Sequence, residues 1–144
     1  MSNNKRAKSK NAGEWVYGSI ARTESDVYII ESAKTVDGKL VINDATLVDI
    51  GTVCDFITLV DTDTTVFTEL YQYDVVKTTI MDMNLDANRV EEIDVIGVVL
   101  WSDDFLQWEV VSTKGDIHRL SQFIEEFGID CILGSQFDID ITTL

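Results

Sequence analysis

Apolar and polar residues change places every one or two positions along much of this chain, and that pattern predicts β-strands. The clearest example begins at residues 95–101, a nearly unbroken apolar run that is typical of a strand buried on both faces. A polar break at residues 102–104 follows, and then Leu106, Trp108 and Val110 alternate with polar neighbours. The two runs predict a β-hairpin whose second strand is half exposed.

The first half of the chain contains further strand signals. Residues 15–20 and 26–30 are rich in aromatic and β-branched side chains, and the turn-like residues 23–26 lie between them. The Asp37-Gly38 pair is a turn signal that leads into a short strand ending near Ile42. We therefore expect a first hairpin, a second turn and a further strand in this half.

The middle of the chain is less regular. Residues 47–60 supply two more apolar runs, one on each side of Gly51. Residues 66–77 are compatible with either a helix or a strand, because part of the segment has helical spacing and its end is β-branched. Residues 78–92 have mixed polarity, so we expect a connection or a long hairpin loop there.

One segment has the spacing of an amphipathic helix. Residues 117–127 repeat apolar side chains at intervals of three and four, and Asp116 and Gly128 stand where a helix N-cap and a left-handed C-terminal cap belong. The apolar stripe consists of Leu120, Phe123, Ile124 and Phe127. The sequence thus predicts one helix in the C-terminal half.

The chain closes with a predicted strand over residues 136–141. Its apolar residues alternate with polar ones, which predicts that Asp138 and Asp140 share the outward face, about 7 Å apart by strand rise. Taken together, the patterns predict a mainly β fold, at the margin of α+β.

The predicted architecture is a partly open, SH3-like β-barrel with extra hairpins and the one helix. An aspartate-led strand at residues 73–77 and a glycine-led strand at residues 96–99 resemble the pair that crosses the twisted sheet of small SH3-like barrels. Glycine inside a strand marks a bend or a close approach of backbone, which Gly97 would supply.

Composition bounds the number of domains. The 144 residues are 45% hydrophobic, enough for one domain with a sizeable core and no need of disulfides or metal. Residues 1–13 contain almost no bulky apolar side chain and hold a basic cluster, so we expect a flexible basic tail. Residues 14–144 are expected to form a single acidic, β-rich domain.

The charge balance predicts the kind of partner. The chain has 26 acidic and 11 basic residues, and after residue 10 the balance is 26 against 7, a net charge of −19. Such a body would repel phosphates, so we expect no direct binding of nucleic acid by the body and no docking on an anionic membrane. A basic surface on another protein would be attracted. The alternative is that the acidity only keeps the protein soluble.

Carboxylates predicted to lie in the β-hairpin, the helix and the last strand could form an acidic patch for a basic partner. Adjacent aspartates in a turn usually bond the local backbone, and an outward strand face is usually just solvated, so these ordinary readings stay open. The candidate partner-binding residues are Asp103, Asp104, Glu109, Glu125, Glu126, Asp138 and Asp140.

No arrangement typical of catalysis or metal binding stands out. The only histidine, His118, is expected on the surface at the helix start, far in sequence from Cys54 and Cys131, which we expect to be reduced and apolar in surroundings. Residues 61–65 resemble the opening of a calcium loop, but Val66 replaces the required glycine. We therefore predict no catalytic residue, no metal and no cofactor. The lack of a signal-peptide-like segment or an apolar span favours the cytoplasm.

Several short motifs occur in a characteristic order. They are Trp15-Val16-Tyr17-Gly18, Thr52-Val53, Thr58-Leu59-Val60-Asp61, Asp74-Val75-Val76, Gly97-Val98-Val99-Leu100-Trp101 and Ile132-Leu133-Gly134-Ser135. This order resembles the YopX-like family of phage and prophage proteins. The resemblance implies a β-rich fold, an oligomer and origin in a mobile element, and it implies no catalytic residues.

Two functional hypotheses follow. The first is a non-enzymatic, phage-type interaction protein in the host cytoplasm, whose acidic surface binds and inhibits a host protein by occupying a basic site that normally holds nucleic acid. The host protein would handle nucleic acid or act in defence. The alternative is an oligomeric β-barrel that binds or sequesters a small ligand such as a nucleotide. Its candidate lining residues are Tyr17, Tyr28, Trp101 and Trp108.

Overall fold

The computed structural model describes residues 5–62, 67–84 and 88–144, and antiparallel β-structure dominates them. The predicted mainly β class with a single helix is confirmed. The strands are β1 (Lys5–Lys8), β2 (Trp15–Arg22), β3 (Val27–Val36), β4 (Lys39–Leu47), β5 (Cys54–Val60), β6 (Thr68–Tyr71), β7 (Asp74–Asn84), β8 (Arg89–Ser102), β9 (Gln107–Ser112), β10 (Ile117–Arg119) and β11 (Cys131–Ser135).

The strands lie in two sheets. One has the order β4-β3-β2-β1-β5-β6 and the other the order β10-β9-β8-β7-β11. The sheets of residues 5–62, 67–84 and 88–144 do not form a closed barrel. The predicted partly open, SH3-like barrel therefore stays a prediction. The chain also divides into two compact units, unit 1 (Met1–Phe56) and unit 2 (Ile57–Leu144). The prediction of one domain over residues 14–144 remains a prediction, because two compact units can still unfold together.

Unit 1 begins with a strand where the sequence predicted a flexible tail. β1 pairs with β2 from Lys5 opposite Gly18 to Lys8 opposite Trp15, and with the start of β5 on its other side. Ala7 is fully buried in the apolar cluster of unit 1. The prediction is therefore wrong for Lys5–Lys8: one small apolar residue points into the core, and its basic neighbours find partners across the sheet.

Those partners explain why a basic segment can be an interior strand. Lys5 forms an ion pair with Asp55. The guanidinium of Arg6 lies 4.3 Å from the ring centroid of Trp15, and the ammonium of Lys8 lies 5.4 Å from it. Cation-π contacts of this kind hold a charged side chain against an apolar surface.

The hairpin of β3 and β4 confirms the predicted turn. Asp37 and Gly38 both have positive φ, 51° and 76°, which is the conformation that a two-residue hairpin turn requires. The register shifts on both sides of Ser32, which leaves Glu31 and Asn43 as bulge residues. Beyond these bulges Ala33–Val36 and Lys39–Ile42 are exposed, so this part of the hairpin, here named arm A, extends beyond the core of unit 1.

Unit 2 contains the larger core. Its buried cluster comprises Val60, Leu70, Val76, Val99, Val110, Leu120, Phe123 and Ile129. The predicted hairpin of β8 and β9 lies at its centre and is confirmed, with Trp101 opposite Trp108. The turn is longer than predicted, because Leu106 takes a positive φ of 51° and β9 starts only at Gln107.

Gly97 confirms the predicted close approach of backbone. A Cβ atom at this position would lie 2.6 Å from Cγ1 of Val110 and 2.8 Å from the carbonyl oxygen of Val111. Both contacts are too short for a real side chain, so only glycine lets β8 lie against β9 here.

The expected connection over residues 78–92 is instead a long hairpin. β7 continues to Asn84 and β8 begins at Arg89, with pairs that run from Thr78 opposite Val95 to Asn84 opposite Arg89. The prediction was wrong because this part of the hairpin carries polar residues on both faces, which hides the apolar alternation of a half-buried strand. Met81 and Val90 are exposed within it.

The predicted helix begins three residues later than expected. Ile117–Arg119 is strand β10 and pairs with β9, with His118 opposite Val110. Helix α1 (Leu120–Gln122) follows, and a π-helical turn (Phe123–Phe127) continues it to Gly128, whose φ is 76°. Asp116 is therefore not the N-cap. Residues 117–119 pair with the edge of β9, and this tertiary pairing overrides their helical spacing.

The predicted last strand, residues 136–141, is absent from the structure. The oxygens of Ser135 accept hydrogen bonds from the backbone N–H groups of Phe137 and Asp138, and a 3₁₀ turn (Ile141–Thr143) ends the chain. Side-chain oxygens that bond the nearby backbone compete with a sheet ladder, and here they prevail over the alternating pattern.

Candidate functional site

The principal cavity of interest lies in unit 2 beside β9 and the helical segment. Its volume is about 280 Å³. The residues that line it are Gln107, Trp108, Arg119, Leu120, Ser121, Ile124 and Glu125. Trp108, Leu120 and Ile124 supply an apolar wall, and one cation, one carboxylate and two neutral polar side chains complete the lining. We name this cavity the β9 cavity.

The local fold explains why these residues meet. The strand pairing places Arg119 of β10 opposite Glu109 of β9, and the chain then turns into α1 directly after Arg119. Ile124 and Glu125 lie about one turn further along, in the π-helical segment. The late start of the helix therefore brings a helical face over the end of β9.

Glu109 lies next to the cavity and is tied to it. The side-chain amide of Gln107 donates a hydrogen bond of 2.9 Å to Oε2 of Glu109, and Gln107 lines the cavity. Glu109 is half-buried and stands opposite the cation of Arg119 in the ladder. Two of the predicted partner-binding carboxylates, Glu109 and Glu125, are thus brought to the cavity that Arg119 lines.

Exposed aromatic and aliphatic side chains adjoin this region. Trp101 and Trp108 contact each other edge to face, with ring centroids 5.2 Å apart. In the turn that leads into β9, Phe105 is 73% exposed and Leu106 is 74% exposed. Exposed apolar side chains that lie together within a rim of polar residues are typical of a protein interaction surface.

The remaining predicted carboxylates of this hairpin and helix are exposed. Asp103 and Asp104 occupy the β8–β9 turn, where Asp103 accepts a 3.0 Å hydrogen bond from the indole N–H of Trp101. Glu126 follows Glu125 in the π-helical turn. Asp103 thus has the local structural role that a turn aspartate usually has, and it also orients one of the two tryptophans.

Asp138 and Asp140 do not share a strand face. Asp138 lies in the turn after β11, and Asp140 caps the final 3₁₀ turn, where its Oδ1 accepts hydrogen bonds from the hydroxyl and the backbone N–H of Thr142. These two donors hold the pKa of Asp140 below its usual value of 3.8. The predicted pair is therefore not a patch on a sheet, and neither residue lines the β9 cavity.

The acidity of the protein is concentrated in unit 2. Unit 1 has 8 acidic and 7 basic residues, a net charge of −1, whereas unit 2 has 18 acidic and 4 basic residues, a net charge of −14. The sequence predicted a basic tail and an acidic body. In the structure the charge divides between a nearly neutral unit 1 and an acidic unit 2.

Sequence reasoning did not select Gln107, Arg119, Ser121 or Ile124 as site residues. Ile124 was assigned to the buried stripe of the helix, yet it is 38% exposed and lines the cavity. Ile124 also lines a second cavity of about 280 Å³, together with Leu59, Val60, Asp61, Phe67, Gly128 and Ile129. Ile124 lies in the π-helical turn, where the changed geometry moves it out of the core. The apolar spacing of the sequence does not predict the change from α-helical to π-helical geometry.

The groups considered for chemistry have structural contacts. His118 is half-buried on β10 and its ring lies 5.4 Å from that of Phe123. Cys54 is buried in unit 1, where its thiol donates to the carbonyl of Thr52, and Cys131 lies on β11; both are free thiols. Among the residues that the structure describes, no group of three metal-ligating side chains occurs. Most of the calcium-like segment, residues 63–66, lies outside those residues.

The aromatic residues proposed to line a ligand site are divided between the units. Tyr17 and Tyr28 lie on β2 and β3 in unit 1, while Trp101 and Trp108 form their pair in unit 2. Only Trp108 lines the β9 cavity. A nucleotide phosphate there would meet Glu125, with Glu109 close by.

No helix in the described part of the chain is both long enough and apolar enough to span a bilayer. Comparisons with family models, with curated proteins and with solved structures give no match, so the YopX-like resemblance remains a prediction.

Proposed function

We propose that this protein is a non-enzymatic interaction protein that binds a host protein through the acidic and apolar surface around the β9 cavity. The partner would present a basic surface with at least one apolar side chain, and binding would block its site for nucleic acid. The observation that carries this proposal is an apolar cavity lined by Trp108 and Ile124 that has Glu125 in its lining and Glu109 hydrogen-bonded to the lining residue Gln107.

The geometry suits an anchored side chain of a partner protein. A cavity of about 280 Å³ accommodates one large side chain, and a few anchor side chains packed into such pockets supply most of the binding energy of protein interfaces. The carboxylates at its rim would pair with lysine or arginine residues that flank the anchor, which sets orientation more than affinity.

The charge of unit 2 supports the same proposal. A net charge of −14 on this unit creates a field that attracts a basic surface over about a Debye length, and salt screens that field. Association with a basic partner would therefore be fast and salt-sensitive. A site that normally holds phosphates is the basic surface that such a unit fits best.

The alternative, capture of a nucleotide, is less well supported by the same residues. Arg119 is the only cation that lines the β9 cavity, and Glu125 lines it too. An anionic phosphate group would gain one favourable contact and meet at least one unfavourable one. The cavity volume also lies slightly below the usual range for small-molecule sites, about 300–1,000 Å³.

Affinity capture with matched variants tests the proposal. The full chain is immobilised, exposed to nuclease-treated bacterial lysate at low and at high salt, and the retained proteins are identified by mass spectrometry. Glu125→Gln and Ile124→Ser alter the cavity, whereas Asp138→Asn removes an exposed carboxylate that does not line it. We expect one partner to be retained at low salt by the wild type and by Asp138→Asn, and to be lost with the two cavity variants.

A second readout identifies the blocked site. The purified partner is titrated with labelled nucleic acid in the presence and absence of this protein, and competition is expected. The proposal is wrong if all variants retain the same proteins equally, if retention does not depend on salt, or if nucleic acid and this protein bind the partner independently.

A further inference from the structure

Arm A ends one sheet with an uncovered edge. β4 is the terminal strand in the order β4-β3-β2-β1-β5-β6, and among the residues described by the structure no strand lies beyond it. Leu40 is 74% exposed, and Val41 and Ile42 are also exposed. An exposed, apolar edge strand is a template for pairing with another strand.

The hairpin turn determines which backbone groups point outward. In a two-residue hairpin the flanking residues, here Val36 and Lys39, form a hydrogen-bonded pair, and the pairs alternate from there. The next pair, Thr35 with Leu40, is therefore non-hydrogen-bonded, and so is the pair of Ala33 with Ile42. The N–H and C=O groups of Leu40 and Ile42 consequently point away from β3.

These outward groups are complementary to their own copy. When two β4 strands lie antiparallel about a two-fold axis through Val41, Leu40 of each strand stands opposite Ile42 of the other. Both residues of each such pair direct their backbone groups outward, so the two pairs would form hydrogen bonds in the narrow ladder positions. Val41 then meets its own copy in the non-hydrogen-bonded pair between them, where side chains lie closest.

The side chains agree with this register. On one face, two Leu40–Ile42 pairs would form a continuous apolar cluster next to Ala33 of each hairpin. No like charges stand opposite each other, because Lys39 would meet Asn43, and Asp44 would meet Gly38. Between Ser32 and Asp44 the hairpin carries two basic and two acidic residues and is thus uncharged overall.

The charge distribution favours a second copy at this edge over a basic partner. Residues 32–44 of the hairpin have no net charge and unit 1 has a net charge of only −1, so the paired strands would add no like-charge repulsion of their own. An uncharged edge suits pairing with an identical edge, whereas a basic partner would gain no charge complementarity there.

We propose that the protein forms a two-fold symmetric dimer by antiparallel pairing of β4 with β4 of a second copy, centred on Val41. The interface of two short edge strands is small, below the roughly 1,200 Å² of standard interfaces, so the dimer dissociates on dilution. This inference does not rest on the proposed function, which concerns residues of unit 2.

Charge substitution at position 41 tests the register. Val41→Lys and Val41→Asp each place like charges opposite each other on the axis, and we expect each to weaken dimerisation by about tenfold or more. A mixture of the two variants pairs opposite charges at the same point, so a heterodimer is expected to form where neither variant alone dimerises. Sedimentation equilibrium over a wide range of concentration measures all three samples, with Val90→Lys as an exposed control outside arm A.

Cysteine cross-linking provides an independent test. Val41→Cys, in a Cys131→Ser background, would place two thiols in the closest pair of the ladder, within reach of a disulfide. The matched variant Ile42→Cys would place its thiols diagonally, about 7–8 Å apart at the Cα atoms, which is too far. We expect rapid oxidation to a covalent dimer only for Val41→Cys.

The proposal is overturned if the wild type stays monomeric at all concentrations, if the Val41→Lys and Val41→Asp mixture does not associate, or if Ile42→Cys cross-links as fast as Val41→Cys. A dimer that survives Val41→Lys unchanged would also overturn it. A far-ultraviolet circular dichroism spectrum equal to that of the wild type would show that each variant is folded.

Discussion

The two compact units differ in net charge and in the surfaces that they present. Unit 1 is almost neutral and its strand β4 is an exposed, apolar sheet edge, whereas unit 2 has a net charge of −14 and a cavity lined by Glu125 with Glu109 beside it. An uncharged edge suits pairing with a like chain, and an acidic surface suits a basic partner. Net charge over the whole chain hides this division, which becomes visible only when the residues are assigned to their units.

The hairpin arms sharpen the contrast. The outer part of the β7–β8 hairpin, like arm A, is a two-stranded ribbon with exposed residues. Its strands carry Asp82, Glu91, Glu92 and Arg89, whereas β4 has no charge between Lys39 and Asp44. Charged residues on a strand edge oppose pairing with another chain, so of these two hairpins arm A is the better suited to it.

The largest expected effect concerns the unit 2 core. Phe123 is fully buried and contacts both His118 and Phe127, so Phe123→Ala should lower the free energy of unfolding by about 3–5 kcal/mol. If residues 14–144 form one domain, thermal unfolding of the variant stays a single transition at lower temperature. Calorimetry that shows two transitions, with only one displaced, would mean that the units unfold separately.

A comparable effect is expected at the strand that was predicted to be a tail. Ala7 has no exposed surface, so Ala7→Glu would bury an unpaired charge and cost about 3 kcal/mol or more. Ala12 is exposed in the following turn and provides the matched control, since Ala12→Glu leaves its charge in water. Equal stability of the two variants in urea would show that β1 does not contribute to folding.

A smaller effect is expected at Gly97. Its Cβ would lie 2.6 Å from Val110 and 2.8 Å from the carbonyl oxygen of Val111, so Gly97→Ala must push β8 and β9 apart, at a cost of about 1–3 kcal/mol. Gly115→Ala is the comparison variant. A Cβ there would meet nothing within 4 Å, but the φ of 91° is unfavourable for alanine, so this variant measures backbone strain without a steric clash. Denaturant unfolding curves of Gly97→Ala that coincide with the wild type would contradict the close approach.

The smallest effect is a titration. Because Thr142 donates two hydrogen bonds to Asp140, the pKa of Asp140 is lower in the folded state than in the unfolded state. The carboxylate therefore stabilises the fold at a pH above the unfolded pKa, and this stabilisation is lost as the pH falls through the folded pKa. Carboxyl NMR titration should find the midpoint of Asp140 below 3.8, and Thr142→Val should raise it. A midpoint that is unchanged in Thr142→Val would show that the Thr142 hydroxyl does not lower the pKa of Asp140.

Much of the strand structure was predictable because it depends on local pattern. The Asp37-Gly38 turn, the hairpin of β8 and β9 and the need for Gly97 follow from turn chemistry and from alternation, which neighbouring residues alone determine. The carboxylates Glu109 and Glu125 could also be selected from the sequence as acidic residues at positions predicted to face outward, although Glu109 is half-buried in the structure. Their common location at one cavity could not, because it requires β10 and the helical turn to be placed against β9.

The sequence by itself determined the β class, the turn positions and the excess of negative charge, since these depend on composition and on nearest neighbours. Tertiary structure decided the rest. Residues 117–119 form a strand and not a helix because they pair with the edge of β9. The expected last strand does not form because the local backbone donates hydrogen bonds to Ser135 and Asp140. The basic segment at residues 5–8 joins a sheet because Ala7 is buried there. In each case the deciding partner lies on another element or in a specific bond that periodicity does not encode.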